Sequence, residues 1–278
     1  MRICYSSDFH GRQTLYDQLQ ALLRAEQPEL VILGGDMFPD GEGPDPAGAQ
    51  VAFVHRELLP RVAAWSQDVP GLATACLMGN HDWLSTERAL RAAPDSGLTV
   101  LDLRQPWVHN GVGFVGCPYS PPTPHWVKDY ERLDAEGDEM PDFGIDSWAT
   151  QTGGPCEVDA GEHFHSKPPL AAELAAAAIP ADPWVLVAHA PPYDCKLDRL
   201  PNIDYPVGST AVRRFIASER PLCALHGHVH EAPVVSGSYF DEVAGVLCIN
   251  PGQSHERLQA VLFDTERPRE TLRHTVFR

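Results

Sequence analysis

The sequence predicts an α/β fold, and two observations carry that expectation. Short apolar runs repeatedly end in Gly, Asp, Asn or His, and several are followed by a segment with helical spacing of its apolar residues. The chain has 278 residues, 43% of them hydrophobic, enough to bury a core without disulfide or metal staples. Taken in order, Arg2–Ser6 reads as a strand, 12–25 as an amphipathic helix, and Leu30–Gly34 as a second strand. A Pro/Gly-rich loop leads to a helix over 48–66, a strand over 72–78 and a short helix over 84–93. Strands follow near 99–101, 107–108 and 112–116.

Between 118 and 169 the periodicity is lost. Prolines bracket an acidic run (Asp134, Glu136, Asp138, Glu139) and scattered aromatics, Tyr119, Trp126, Tyr130, Phe143, Trp148 and Phe164. A stretch this long without period is read as functional or flexible. A satellite core is the favoured reading of its aromatics, with base stacking as the alternative. Order returns with an Ala-rich helix over 170–178, a strand at Trp184–Ala188 and a helix over 209–218. Strands are expected at 222–225, 234–236, 245–249, 258–263 and 271–276. No internal repeat or dividing linker is visible, so residues 1–278 are expected to form one domain with an irregular insertion at about 118–169.

Composition excludes several function classes. Lys and Arg number 21 against 38 Asp and Glu, a formal charge of −17. Binding along a phosphate backbone needs a basic stripe, so extended nucleic-acid binding is not expected. No run of about 18 apolar residues is present to span a bilayer. The first residues lack the pattern of a secretory leader, and the seven cysteines are odd in number and widely spaced without a C-x-x-C pair. Reduced thiols in a cytoplasmic protein are the expectation, with Cys4, Cys76, Cys223 and Cys248 acting as small hydrophobes.

Almost every predicted strand ends in a potential metal ligand, where open α/β sheets place their sites. The candidates are Asp8 and His10, Asp36, Asn80 with His81 and Asp82, His189, and His228 with His230. Asp8 and His10 stand at i and i+2 beyond a strand, so both side chains can point to one side. Carboxylate oxygens mixed with imidazole nitrogens suit Mn, Fe, Zn or Ni better than Mg or Ca. Singly, an Asp-x-His or Gly-Asp at a strand end is more often a turn. Together they are not: GNHD alone arises by chance in roughly one of several hundred chains this long.

The series DFHG at 8–11, GGD at 34–36, GNHD at 79–82, HAPP at 189–192 and GHVH at 227–230 resembles the calcineurin-like metallophosphoesterase family. The resemblance implies a four-layer αββα sandwich with two divalent metal ions, Mn foremost. It implies that Asp8, His10, Asp36 and His230 hold one metal and that Asp36, Asn80, His189 and His228 hold the other. It makes His81 the candidate that protonates the leaving oxygen, with Asp82 orienting it or capping the following helix. Two cations about 3.5–4 Å apart can share a water and present hydroxide in line with phosphorus.

Departures from the pattern narrow the substrate. Pro39 stands where purple acid phosphatases carry a tyrosine, and GDMFPDG replaces the GDxVDRG of protein serine/threonine phosphatases. Missing arginines argue against capture of a phosphomonoester dianion and favour a diester of a small or nucleotide-like alcohol. The competing readings are a phosphomonoesterase and a non-catalytic scaffold of the same fold, the latter opposed by the complete ligand set. His55, His109, His255 and His274 are read as surface or satisfied residues, and His125, His163 and His165 as solvent-exposed, with a capping role over the metals as the alternative.

Overall fold

The computed structural model describes residues 1–41, 44–181 and 183–277. Its first half runs β1 (Arg2–Ser6), α1 (Gln13–Glu26), β2 (Leu30–Gly34), α2 (Pro46–Phe53), a π-helical turn at Val54–Leu58, α3 (Leu59–Asp68), β3 (Ala73–Leu77), α4 (Leu84–Arg91) and β4 (Leu98–Val100). Then come β5 (Trp107–His109), β6 (Val112–Cys117), β7 (Ser147–Gln151), β8 (Gly154–Val158), α5 (Ala160–His165) and α6 (Leu170–Ala175). The remainder is β9 (Trp184–Ala188), α7 (Thr210–Glu219), β10 (Cys223–Leu225), α8 (Ala232–Ser236), β11 (Phe240–Val243), β12 (Val246–Ile249), β13 (Val261–Asp264), α9 (Pro268–Thr271) and β14 (Arg273–His274).

Two six-stranded sheets result, in the orders β14-β13-β1-β2-β3-β4 and β11-β12-β10-β9-β6-β5. In the first, β1 to β4 are parallel, and in the second β6, β9, β10 and β12 are parallel with antiparallel strands at both edges. Parallel strands buried on both faces must be apolar at every position, and their two-residue period then sorts side chains between two cores. Ile3, Tyr5, Leu30 and Ile32 face Val185, Val187, Leu225 and Ile249 in a central layer between the sheets. Their alternates Cys4, Val31 and Leu33 pack under α1 and α3 against Leu15, Leu19, Val62 and Trp65. On the far side Leu186, Ala188, Ala224 and Cys248 pack against Leu174, Val212 and Ile216 of α6 and α7. Helix, sheet, sheet and helix form the four layers.

Several expected elements change character. The expected helix over 48–66 is α2 and α3 joined through the π turn, started by Pro46 after Asp45, whose side chain accepts from the Gly48 N–H at 2.9 Å. The strand expected at 234–236 is helix α8, because Pro233 at its start and the left-handed Gly237 at its end define a single helical turn. The strand expected at 271–276 is reduced to β14, after α9 has taken Thr271. The stretch 118–169, expected to be irregular, contains the β7–β8 hairpin and α5. It is tied to the second half through Asp134, whose carboxylate accepts from the N–H groups of Thr210 and Ala211 at the start of α7. Its tryptophans do form a satellite core: Trp126 and Trp148 pack on buried Trp83, Ala47 and Val127, beside a cleft of about 330 Å³.

All seven cysteines are free thiols, and six are buried. Burial raises the thiols of Cys4, Cys117, Cys223 and Cys248 to about 12. A thiol reagent such as DTNB should therefore titrate one cysteine rapidly in native protein at pH 8, Cys156, and all seven in denaturant. Loss of the fast phase in Cys156→Ser checks the assignment.

Candidate metal centre

The C-terminal ends of β1, β2 and β3 from one sheet, and of β9 and β10 from the other, open onto the same edge of the sandwich. Asp8 and His10 follow β1, Asp36 follows β2, Asn80 follows β3, His189 follows β9, and His228 and His230 follow β10. Main-chain hydrogen bonds lock these turns together: Asp8 N–H donates to Gly35 O and His10 N–H to Asp36 O. Within the second sheet Gly227 N–H donates to His189 O, and the two sheets are joined by His228 N–H donating to Asp8 Oδ1 at 3.0 Å.

Asp8 and His10 do converge, but not by strand alternation. Their backbones lie in the left-handed region with φ of 62° and 46°, as do those of Asp36 (50°) and His228 (68°). Such conformations cost of order 1–3 kcal/mol each in non-glycine residues and persist only where surroundings enforce them. Two glycines leave room for the cluster. A Cβ on Gly35, at φ +103°, would lie 2.5 Å from His189 Nδ1, and one on Gly79 would lie 2.3 Å from Asp36 Oδ1.

Two donor sets result. One atom each from Asp8, His10, Asp36 and His230 lie within 4.8 Å of one another, and the same holds for Asp36, His189 and His228, so Asp36 belongs to both. Asn80 joins the second set through Oδ1, 2.9 Å from His228 Nδ1 and 3.2 Å from His189 Nε2. His189 Nδ1 donates to Gly34 O at 2.9 Å, which fixes its tautomer and aims Nε2 at Asp36 Oδ2, 3.2 Å away. His10 is held likewise, Nδ1 on Asp40 Oδ1 at 3.0 Å and Nε2 facing His230 Nε2 at 3.2 Å.

The electrostatics describe buried anions in need of positive charge. Burial opposes ionisation of Asp8, yet the neighbouring His230 and His189 hold it down at about 2, and Asp36 lies well below the ordinary range for the same kind of reason. In return, although burial works against a charged imidazole, Asp36 holds His189 up at about 9. His228 is pushed down to about 3 by burial and by His189. The two carboxylates are faced by the rings of His230 and His189 and accept the main-chain N–H groups of His228 and His81, and the nearby Asn80 adds an amide oxygen. Such a mixed oxygen and nitrogen donor set, converging from five strand ends, fits transition-metal dications.

Asp82 corrects the sequence reading. It is fully buried, and its carboxylate accepts from the N–H groups of Asp36 (3.0 Å), Phe38 (3.4 Å) and Gly79 (2.8 Å). It neither orients His81 nor caps α4, whose N-cap is Trp83 without a side-chain bond. It fastens the Asp36 turn to the Gly79 turn. The partner of His81 is Asp40, whose Oδ1 lies 2.7 Å from His81 Nδ1 and also holds His10. Burial opposes protonation of His81, but Asp36 and Asp40 outweigh it and raise the imidazole to about 9. Asp40 was legible in GDMFPDG only as the acid one place beyond Pro39.

His125 and His163 also depart from their expected exposure. His125 is half-buried and stacks on His81 with ring centroids 3.6 Å apart at 13°. Burial, with His81 next, pushes it down to about 3. His163 is buried with Nε2 3.3 Å from Lys128 O. No signal along the chain places His125 beside His81; only the return of the insertion over the β3–α4 turn does.

The comparisons agree with this architecture. The profile of the calcineurin-like phosphoesterase family matches residues 1–232, and the chain belongs to that family. The protein TT1561 of Thermus thermophilus is 15% identical over 100% of this chain and 99% of its own, with a TM-score of 0.58. Another solved structure is 16% identical over 100% of this chain and 99% of its own, at 0.61. A novel archaeal phosphodiesterase is 14% identical over 99% of this chain and 98% of its own, at 0.46. No curated protein matches. Among the described residues no helix is long and apolar enough to cross a membrane.

Gly79→Ala is expected to disturb the centre through space alone, since Asp36 Oδ1, Asp36 N and His189 Cε1 all lie within 2.7 Å of the added carbon. Thermal melts should show a loss of about 1–3 kcal/mol. Manganese titration by calorimetry should show weaker uptake than in the parent protein.

Proposed function

We propose that the chain is a binuclear metal-dependent phosphodiesterase acting on a small or nucleotide-like ester. Asp8, His10, Asp36 and His230 hold one cation in this reading, and Asp36, Asn80, His189 and His228 hold the other. The observation that carries it is the pair of overlapping donor sets sharing Asp36. Divalent cations in such sets supply Lewis acidity toward phosphoryl oxygens and lower the pKa of water. Manganese is the first choice, with iron, zinc or nickel as alternatives of the same donor preference.

The protein's own contribution to the leaving group is His81. Asp40 engages Nδ1 and leaves Nε2 to deliver a proton to the departing alkoxide oxygen. His125, stacked on the ring, and Asp40 restrict its rotation from two sides. The preference for diesters is supported by charge. Among the described residues no lysine or arginine pairs with Asp8, Asp36, Asp40 or the site histidines, whose polar partners are acids, imidazoles, Asn80 and main-chain groups. A monoester dianion therefore finds no guanidinium clamp, while the single charge of a diester needs none.

Chelation should abolish turnover, and manganese should restore it, with bis-p-nitrophenyl phosphate cleaved faster than p-nitrophenyl phosphate. His81→Ala should keep its metals and lose about 100-fold or more on an alkyl diester, but under about 10-fold where p-nitrophenolate leaves. Equal losses would remove the proton-donor role. Faster cleavage of the monoester would favour a phosphomonoesterase, and a metal-loaded protein inert toward both would favour a scaffold.

A further inference from the structure

Besides stacking His125 on His81, the insertion reaches the donor sets at the amide of Asn80. Asn80 is 1% exposed, and its amide presents an acceptor oxygen or, if flipped, two donor hydrogens to the second donor set. Only Oδ1 can serve a cation. The flip is decided on the opposite side of the amide, where Nδ2 donates to Thr123 Oγ1 at 3.3 Å and to Glu131 Oε1 at 3.5 Å. Thr123 in turn donates its hydroxyl hydrogen to Glu131 Oε1. Glu131 is fully buried and is held by Lys128, 1% exposed, whose Nζ lies 2.8 Å from Oε2. Lys128 spends its other hydrogens on the carbonyls of Thr123 and His125.

We infer that Glu131, held by Lys128 and Thr123, is a positioning residue that fixes the Asn80 amide with Oδ1 toward the second cation. The inference rests on the two-cation reading of the centre. With the amide reversed, Oδ1 would confront the Glu131 carboxylate, acceptor against acceptor, and the group turned toward His189 and His228 would be Nδ2, which has no lone pair for a cation. A buried ion pair is seldom more stable than apolar side chains of similar volume, so the Lys128–Glu131 pair is poorly explained by stability alone. It is explained by an acceptor oxygen that must be held immobile beside Asn80. The insertion therefore completes the second site from behind Asn80.

Two double variants separate positioning from packing while stranding no buried charge. Lys128→Met with Glu131→Gln keeps an oxygen opposite Asn80, whereas Lys128→Met with Glu131→Leu does not. Each is compared with the parent by thermal melting, by manganese titration of chelator-treated protein and by the exchange-coupled EPR signal of a manganese pair. The parent should bind two equivalents, the Gln variant should bind two with little change, and the Leu variant should keep the first. Second-site affinity of the Leu variant should fall about 10–100-fold, and the coupled signal should be lost. Should the Leu variant not fold, Thr123→Val carries the test, with a loss at the second site in the same direction. Parent-like second-site affinity in a folded Leu variant or in Thr123→Val, or equal loss in the Gln variant, overturns the inference. A parent protein that binds fewer than two manganese ions overturns the two-cation reading instead.

Discussion

Two carboxylates, Asp8 and Asp36, are each 1% exposed at the mouth of the sandwich, and the local structure follows from keeping them charged there. An anion withdrawn from water costs several kcal/mol unless it is paired and hydrogen-bonded. No single element can supply all the partners. Asp8 takes the N–H of His228 and the ring of His230 from the far sheet, while Asp36 takes the N–H of His81 and the ring of His189. The sheets therefore meet at their C-terminal ends through the site as well as through the apolar layer of Ile32, Val185 and Ile249. Left-handed backbone at Asp8, His10, Asp36 and His228 is the local consequence.

A third buried acid, Asp82, belongs to this scaffold. By accepting main-chain N–H groups from both the Asp36 and the Gly79 turns, it sets the separation of two neighbouring strand ends. Orientation of His81 passes to Asp40, which reaches His10 as well and so couples the proton-donor candidate to the first donor set. On the other side, His125 and Glu131 come from the insertion, one stacked on His81 and one beside the amide of Asn80. The two residues of the GNHD motif that face chemistry are thus each held by a group remote from the motif.

The charge of −17 takes on a local meaning in this setting. Surface charges are screened beyond about 8 Å at physiological salt, so the overall excess of acid does not govern the pocket. Within the pocket the balance is set by Asp8, Asp36 and Asp40 against the histidines, and two dications bound there, four positive charges against three carboxylates, would reverse its sign. A protein that repels a polyanion at long range can on these terms accept one phosphate at short range.

Most strands of the two sheets, the helices under them and the candidate ligand residues were legible in the sequence because each rests on a local pattern. Continuous apolar runs such as LVILG and WVLVA mark doubly buried strands, and the residues just past them, Asp36 and His189, mark the edge where they open. Residues 234–236 were misread because apolar valines in a short run do not distinguish strand from helix; Pro233 and Gly237 decided for a helix. What only the tertiary structure decided is which groups hold the candidate ligands and His81 in place. The family resemblance pairs Asp82 with His81, yet successive residues on the tight turn after β3 point apart, and Asp40, forty-one positions away, is the one that reaches the ring. His125 and Glu131 lie in a segment without periodicity, and nothing local ties them to residues 80 and 81. Strand ends follow from hydrophobic period, but hydrogen bonds between side chains distant in sequence follow from how the loops fold back over them.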